Sequence, residues 1–266
     1  MRLNTVNILG VHITSTSADV LLREIIAFVA KPASPETNLG RSSLRLVVFT
    51  PNPEFLVSAA EDLSFRELLN RADINLPDGV GLIWASRILG TPIKERVSGA
   101  DVVEKLLEIG NEKCEVRGGR LDTEAGSGNW TIGIAGARRE NLAESTELIK
   151  SLKIKYSDIN FVNLDNTKYK IQNTKYNLVF AAHGMKKQEQ WIMENKDKIN
   201  TKIFMGIGGS LDFITGFSKR APLLMQQVGL EWLWRGLQRP EHFKRIWRAV
   251  FVFGWLVLKE RVRKLF

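Results

Sequence analysis

The chain holds one cysteine, Cys114, in 266 residues. A single thiol excludes a disulfide within the chain and a cysteine-built zinc site, and it fits a reducing compartment. Histidine is scarce as well. His12, His183 and His242 are the only three, and they form no Ser-His-Asp or paired-His metal pattern. Long apolar runs are missing: the longest, Ala249–Leu258 (AVFVFGWLVL), has ten residues, about half of the ~20 that a spanning helix needs. The opening residues, MRLNTVNILGVHITS, lack the apolar core and small-residue cleavage site of a secretory signal. These absences predict a cytosolic chain with an unusual end.

What is present is a core-forming chain with uneven charge. Apolar residues make up 44% of it, enough to bury a core, and the length suits one or two domains. Of the formal net charge of +9, residues 216–266 carry +8, from 11 Lys/Arg against 3 Asp/Glu, which leaves +1 for residues 1–215. Basicity confined to one end argues against a chain coated by nucleic acid. It points to a local anionic partner, such as a lipid surface or an RNA patch. The chain therefore divides into a core over 1–215 and a basic, aromatic appendage over 216–266.

Strands are predicted at Val6–Ile13, Leu46–Thr50, Ile74–Leu76, Trp130–Ala135, Ile159–Val162, Leu178–Ala182 and Ile203–Ile207. Helices are predicted at Ala18–Ala30, Pro53–Arg71, Gly79–Leu89, Ser98–Ile109, Glu140–Leu152 and Gln188–Lys198. Segments 31–45 and 117–129 have loop composition. Most strands are continuous apolar runs that alternate with helices, the signature of a mostly parallel, Rossmann-like α/β sheet covered on both faces. After Gly216 the strand signals stop and the chain reads as helix.

In such a sheet, ligands bind beyond the carboxyl ends of the strands. Five polar or glycine-bearing loops fall there: TPNPE, LPDG, GARRE, AHGMKKQE and GIGGSLD. Each has a structural reading beside its chemical one. Asp78 can N-cap the helix that starts at Gly79, or take a proton from a substrate hydroxyl. Asn52 before Pro53 is an N-cap with proline at the first helical position, and Thr50 and Asn52 can also bond a sugar or an amide. Gly133 and Gly136 resemble a phosphate-binding turn, without the G-x-G-x-x-G spacing or a Walker lysine. Gly206, Gly208 and Gly209 let a backbone approach a ligand, and Asp212 can bond a base or ribose or cap the next turn. Gln188 and Glu189 open a helix. Arg96 is a solvated cation or a phosphate clamp.

Taken in order, TPNPE, ADINLPDGVGLIWASRILG, ERVSGAD, GMKKQEQWI, GIGGSLDFITG, KRAP and GLEWLWR resemble the WecG/TagA/CpsF family of bacterial glycosyltransferases. The match runs from about Arg45 to Arg245, with breaks. The resemblance implies transfer of a sugar, typically N-acetylmannosamine or its uronate, from a UDP-sugar donor to undecaprenyl-diphosphate-linked N-acetylglucosamine. The product would feed teichoic acid or another surface glycan. It also implies an α/β core, a helical appendage that binds the membrane, and chemistry without a metal or other cofactor. Carried over residue by residue, Asp78 is the general base and Thr50 and Asn52 line the sugar pocket. Arg96 lies near the diphosphate, and Gln188 is the glutamine of the P-K-Q-E motif. Asp212 recognises the nucleotide beside the glycines Gly136, Gly208 and Gly209. Arg235 and Arg245 are basic appendage positions that close over the site. Two positions depart: Lys186 stands where the motif has proline, and His242 where an arginine is common. Segments 31–45 and 117–129 look like insertions.

Such a transfer needs a base, a counter-charge for the leaving diphosphate, and exclusion of water. Asp78, the arginines and closure of the tail can supply these in turn. One carboxylate as base fits an inverting displacement, with Asp212 and Glu189 as the other acidic candidates. In FKRIWRAVFVFGWLVL, the residues Phe243, Ile246, Trp247, Val250 and Phe251 recur at helical spacing, with Lys244, Arg245 and Arg248 off that stripe. Trp232, Trp234, Trp247 and Trp255 suit a headgroup boundary. The segment is expected to lie in an anionic membrane interface, peripheral on the cytoplasmic face, rather than to cross it. A core or dimer helix is the alternative reading, since aromatics are enriched at interfaces; exposed tail Trp and Phe can also drive self-association that a membrane would replace. Two other classes compete: an NAD(P)-dependent oxidoreductase, which lacks its glycine fingerprint, and a non-enzymatic adaptor, which leaves the polar rim loops without a purpose. No nucleic acid is expected as partner.

Overall fold

The computed structural model describes residues 3–30, 45–111, 130–166, 174–222, 224–225, 233–234 and 246–264. Segment 117–129 and nearly all of 31–45 lie outside these residues, as do Arg235, His242 and Arg245. The described residues form two compact units. One gathers those of 1–18, 49–99 and 216–266; the other, those of 19–48 and 100–215.

In chain order the elements are β1 (Thr5–Ile8), β2 (Val11–Thr14), α1 (Ala18–Ala30), β3 (Leu46–Phe49), α2 (Pro53–Glu61), α3 (Leu63–Asn70), β4 (Ile74–Asn75), α4 (Val80–Ile88) and α5 (Gly99–Gly110). Then come β5 (Thr131–Ala135), α6 (Leu142–Lys155), β6 (Asn160–Asn163), β7 (Tyr176–Ala181), α7 (Lys187–Asn195), β8 (Thr201–Gly206), α8 (Ser210–Ile214) and α9 (Phe253–Arg263). A six-stranded sheet runs in the order β4-β3-β8-β7-β5-β6. The pairs β3–β8, β8–β7, β7–β5 and β5–β6 are parallel. Register stacks apolar residues across the centre: Phe204 lies opposite Val47 and Val179, and Met205 opposite Val48 and Phe180. All six are buried, as strands covered on both faces require. The expected parallel α/β sheet with flanking helices is therefore the observed fold.

Several expectations need correction. The strand expected over Val6–Ile13 is a hairpin: β1 and β2 pair antiparallel around Leu9-Gly10. Both turn residues have positive φ, 52° and 84°, the signature of a turn whose twist matches its strands. The helix expected over Pro53–Arg71 is two helices. Asp62 ends α2 and caps α3, its carboxylate accepting the Phe65 N–H at 3.2 Å and the Ser64 hydroxyl at 2.6 Å. The helix expected from Glu140 begins at Leu142, because a 3-10 turn over 137–140 precedes it and Asn141 caps it.

The chain path locates a crevice. From β5 it continues to β6 on one side, whereas from β7 it continues to β8 on the other. The loops after β5 and β7 therefore diverge, and this topological switch point is where parallel sheets bind ligands.

Candidate active site

In the first unit, backbone hydrogen bonds join three of the motif stretches. Leu76 N–H donates to Phe49 C=O at 2.9 Å, Asp78 N–H to Pro51 C=O at 3.2 Å, and Val97 N–H to Pro77 C=O at 3.2 Å. TPN, PDG and ERV are thus tied side by side. A fourth element closes on them. A Cβ built on Gly99 would stand 2.7 Å from Thr50 Cγ2 and 3.5 Å from Asp78 Oδ2, so only glycine lets the Thr50 methyl pack there with the Asp78 carboxylate beside it. Thr50 is buried and Asp78 and Arg96 are half-buried. Asn52 accepts the N–H groups of Glu54 and Phe55 at 2.9 and 3.2 Å, the expected cap of α2 with Pro53 at its start. Asp78 is not the cap of α4. Gly79 holds that position with φ 112° and so offers no side-chain cap. The Asp78 carboxylate faces Gly99 instead. Pro53 explains the following glycines: a Cβ on Gly79 or Gly81 would meet its ring at 3.3 or 2.7 Å.

In the second unit the switch point is filled by three residues. Gly136, at φ 71°, lies so close to His183 that a Cβ would reach its ring at 2.3 Å. Both Asp165 carboxylate oxygens accept the Gly136 N–H, at 3.0 and 2.9 Å. Burial lowers the His183 pKa, against the opposing pull of Asp165 and Glu140, and burial raises that of Asp165. His183 stacks on Trp191 at 5.3 Å, and its buried Nδ1 has no hydrogen-bond partner among the described residues.

Gln188 and Glu189 are wholly buried. Gln188 Oε1 accepts the Gly208 N–H at 2.9 Å, and its Nε2 donates to Glu189 Oε1 at 2.6 Å. Glu189 Oε2 accepts the Lys186 N–H at 2.7 Å. Helix start chemistry is thus present, and it also anchors the glycine turn after β8. Burial pushes the Glu189 carboxyl up to about 7, against the pull of its hydrogen bonds. Lys186 has φ 70°, a conformation closed to the proline of the resembled motif. Asp212 does not cap α8, whose N-cap is Gly209; it pairs with Arg138 at 3.3 Å.

The tail packs within the first unit. Phe253 and Val257 are buried, and α9 lies against α2 and α4. Glu260 accepts the Leu9 N–H at 3.1 Å, and Arg248 pairs with Glu61 at 2.6 Å. The opposite face holds Trp247, Phe251, Trp255, Leu258 and Val262, each more than half exposed. Their steps of four, four, three and four residues trace one helical stripe. Of the stripe expected from sequence, Trp247 and Phe251 are exposed while Ile246 and Val250 are half-buried, and Phe243 lies outside the described residues. No helix among the described residues is long and apolar enough to cross a membrane. Among the same residues, no three His, Cys, Asp or Glu side chains gather as a metal cluster.

Gly99, Asp165 and Arg138 join the site without a local sequence signal. Gly99 was visible only as part of SGAD. Asp165 lies 29 residues from its partner Gly136, and Arg138 lies 74 from Asp212, with no local pattern to join either pair.

A parallel α/β sheet with the Asp78 carboxylate, Thr50 and the Arg96 segment at its rim fits the chemistry of group transfer. The chain belongs to the glycosyl transferase WecG/TagA/CpsF family, whose model it matches over residues 6–265. That membership displaces the oxidoreductase and adaptor readings. Similar proteins include the N-acetylglucosaminyldiphosphoundecaprenol N-acetyl-beta-D-mannosaminyltransferases of Staphylococcus aureus strains MRSA252, MW2 and NCTC 8325 / PS 47. Each is 28% identical, over 99% of this chain and 97% of the relative.

Proposed function

We propose that this protein transfers N-acetylmannosamine, or a closely related sugar, from a UDP-sugar to undecaprenyl-diphosphate-linked N-acetylglucosamine, with inversion, in surface glycan synthesis. Family membership and the acceptor and sugar in the relatives' names support the reading. The observation that carries it is the convergence of Thr50 and Asp78 on Gly99, with the Arg96 segment bonded beside them.

Asp78 takes the proton of the acceptor hydroxyl. The hydroxyl oxygen attacks the anomeric carbon, the bond from that carbon to the diphosphate breaks, and UDP leaves with the electron pair. Thr50 and Asn52 hold the sugar. Arg96, Arg235 and Arg245 offset the departing charge, and no metal is called on. Asp212 receives the nucleoside. The exposed stripe Trp247–Val262, with Arg248, Lys259, Arg261 and Arg263 around it, rests peripherally on the cytoplasmic face of an anionic membrane. Trp84 and Ile88 of α4, the helix under α9, are also exposed. Off the membrane, the same stripe can pair with a second copy.

The test is transfer from a panel of UDP-sugars to a diphosphate-lipid-linked N-acetylglucosamine analogue, with Asp78→Asn as the variant. Loss of at least a hundredfold in kcat, with folding and donor binding intact, is expected. Equal turnover would move the base to another carboxylate, and no turnover with any donor would sink the reading.

A further inference from the structure

Three of the five residues from Gly136 to Glu140 have positive φ: Gly136 at 71°, Arg138 at 53° and Glu140 at 64°. Two of them are not glycine, and each such residue is held in a costly backbone conformation. From this turn the Arg138 side chain reaches across the carboxyl end of the sheet. The residue follows β5, yet it pairs with Asp212 of the helix after β8, two strands away.

Two partners of the guanidinium hold it unequally. Nε and Nη2 both bond Glu144 Oε2, at 2.9 and 2.7 Å. Nη1 meets Asp212 Oδ2 at 3.3 Å, long for a charge-assisted bond. Glu144, on α6, therefore fixes the orientation of the group, and the Asp212 contact to Nη1 is the looser of the two. Both Arg138 and Asp212 keep about a quarter of their side-chain surface in solvent. The pair lies beside the switch point where Gly136 meets His183.

Resting on the reading of a nucleoside diphosphate donor, we infer that Arg138 is a nucleotide-binding residue that exchanges Asp212 for a phosphate of the donor. A diphosphate carries more charge and offers bidentate geometry, so it outcompetes one loosely held carboxylate. The exchange frees Asp212 to accept the ribose hydroxyls. Glu144 keeps the guanidinium aimed throughout. Binding of the phosphate and of the nucleoside are thereby linked through one ion pair.

Calorimetry with UDP, uridine and inorganic pyrophosphate tests this on wild type, Arg138→Met, Arg138→Lys and Asp212→Asn. Arg138→Met is expected to weaken UDP and pyrophosphate at least tenfold and to leave uridine within about twofold. Arg138→Lys should recover part of the loss. Asp212→Asn, which removes the competing carboxylate charge, should tighten pyrophosphate severalfold and weaken uridine. If Arg138→Met weakens UDP and uridine equally, Arg138 only orients Asp212 and the inference is overturned. Unchanged binding in Arg138→Met overturns it too, and leaves the donor reading standing. Wild-type protein that binds neither UDP nor pyrophosphate overturns both. If Arg138→Met does not fold, the sign of the pyrophosphate change in Asp212→Asn decides alone.

Discussion

Glu189 gives the protein a stability that falls with pH. Its carboxyl is wholly buried and titrates near 7, against an ordinary 4.5 for the exposed group. The folded state thus binds this proton more tightly than the unfolded chain does. The contribution is fully present below about pH 4.5. It is lost as pH rises through 7, where the folded protein must hold an ionised carboxylate out of water. A difference of 2.5 pH units corresponds to about 3 kcal/mol. Replacing Glu189 by Gln removes the titration while keeping one acceptor for either the Gln188 amide or the Lys186 N–H. Urea unfolding of both proteins at a series of pH values between 4.5 and 8.5 isolates the effect, since other groups cancel in the difference. Wild type should lose about 3 kcal/mol relative to Glu189→Gln across that range. A difference that stays flat, or that moves in favour of wild type, would mean the Gln188 and Lys186 donors hold the carboxylate ionised, and the argument from burial would be wrong.

Two other outcomes follow from the geometry. Gly99→Ala places a methyl 2.7 Å from Thr50 Cγ2 and 3.5 Å from Asp78 Oδ2. It should cost about 1–3 kcal/mol of stability and at least tenfold in sugar transfer, and wild-type turnover in a folded variant would separate this contact from the chemistry. The double variant Trp247→Ser/Trp255→Ser removes two exposed rings of the tail stripe without touching the buried Phe253 and Val257. It should lower partitioning onto anionic vesicles by tenfold or more, about 1.4 kcal/mol, with the midpoint of thermal unfolding unchanged; equal partitioning would assign the stripe to another contact.

Much of this protein was legible from local pattern. Runs such as LVVF and LVFAA gave buried parallel strands, because a strand covered on both faces needs apolar residues at every position. Asn52-Pro53 gave a helix start, because cap chemistry acts over two or three residues. The ordered motifs gave the family. The misses share a cause. Leu9-Gly10 carries none of the usual hairpin dipeptides, so β1 and β2 read as one strand. Asp62 was a readable cap, but no glycine or proline marks the break around it.

The sequence by itself determined the alternation of buried strands and amphipathic helices, the candidate carboxylate Asp78 and the basic, aromatic end. These depend on the period and composition of contiguous residues. Only the tertiary structure decided that Gly99 stands between Thr50 and Asp78, that Asp78 leaves the capping of α4 to Gly79, and that Gln188 spends both ends of its amide inside the protein. It alone joined Arg138 to Asp212, and it alone split the apolar tail into a buried face and an exposed one. Those outcomes rest on contacts between residues far apart in the chain, where proximity is set by strand order and backbone twist, and no local pattern records them.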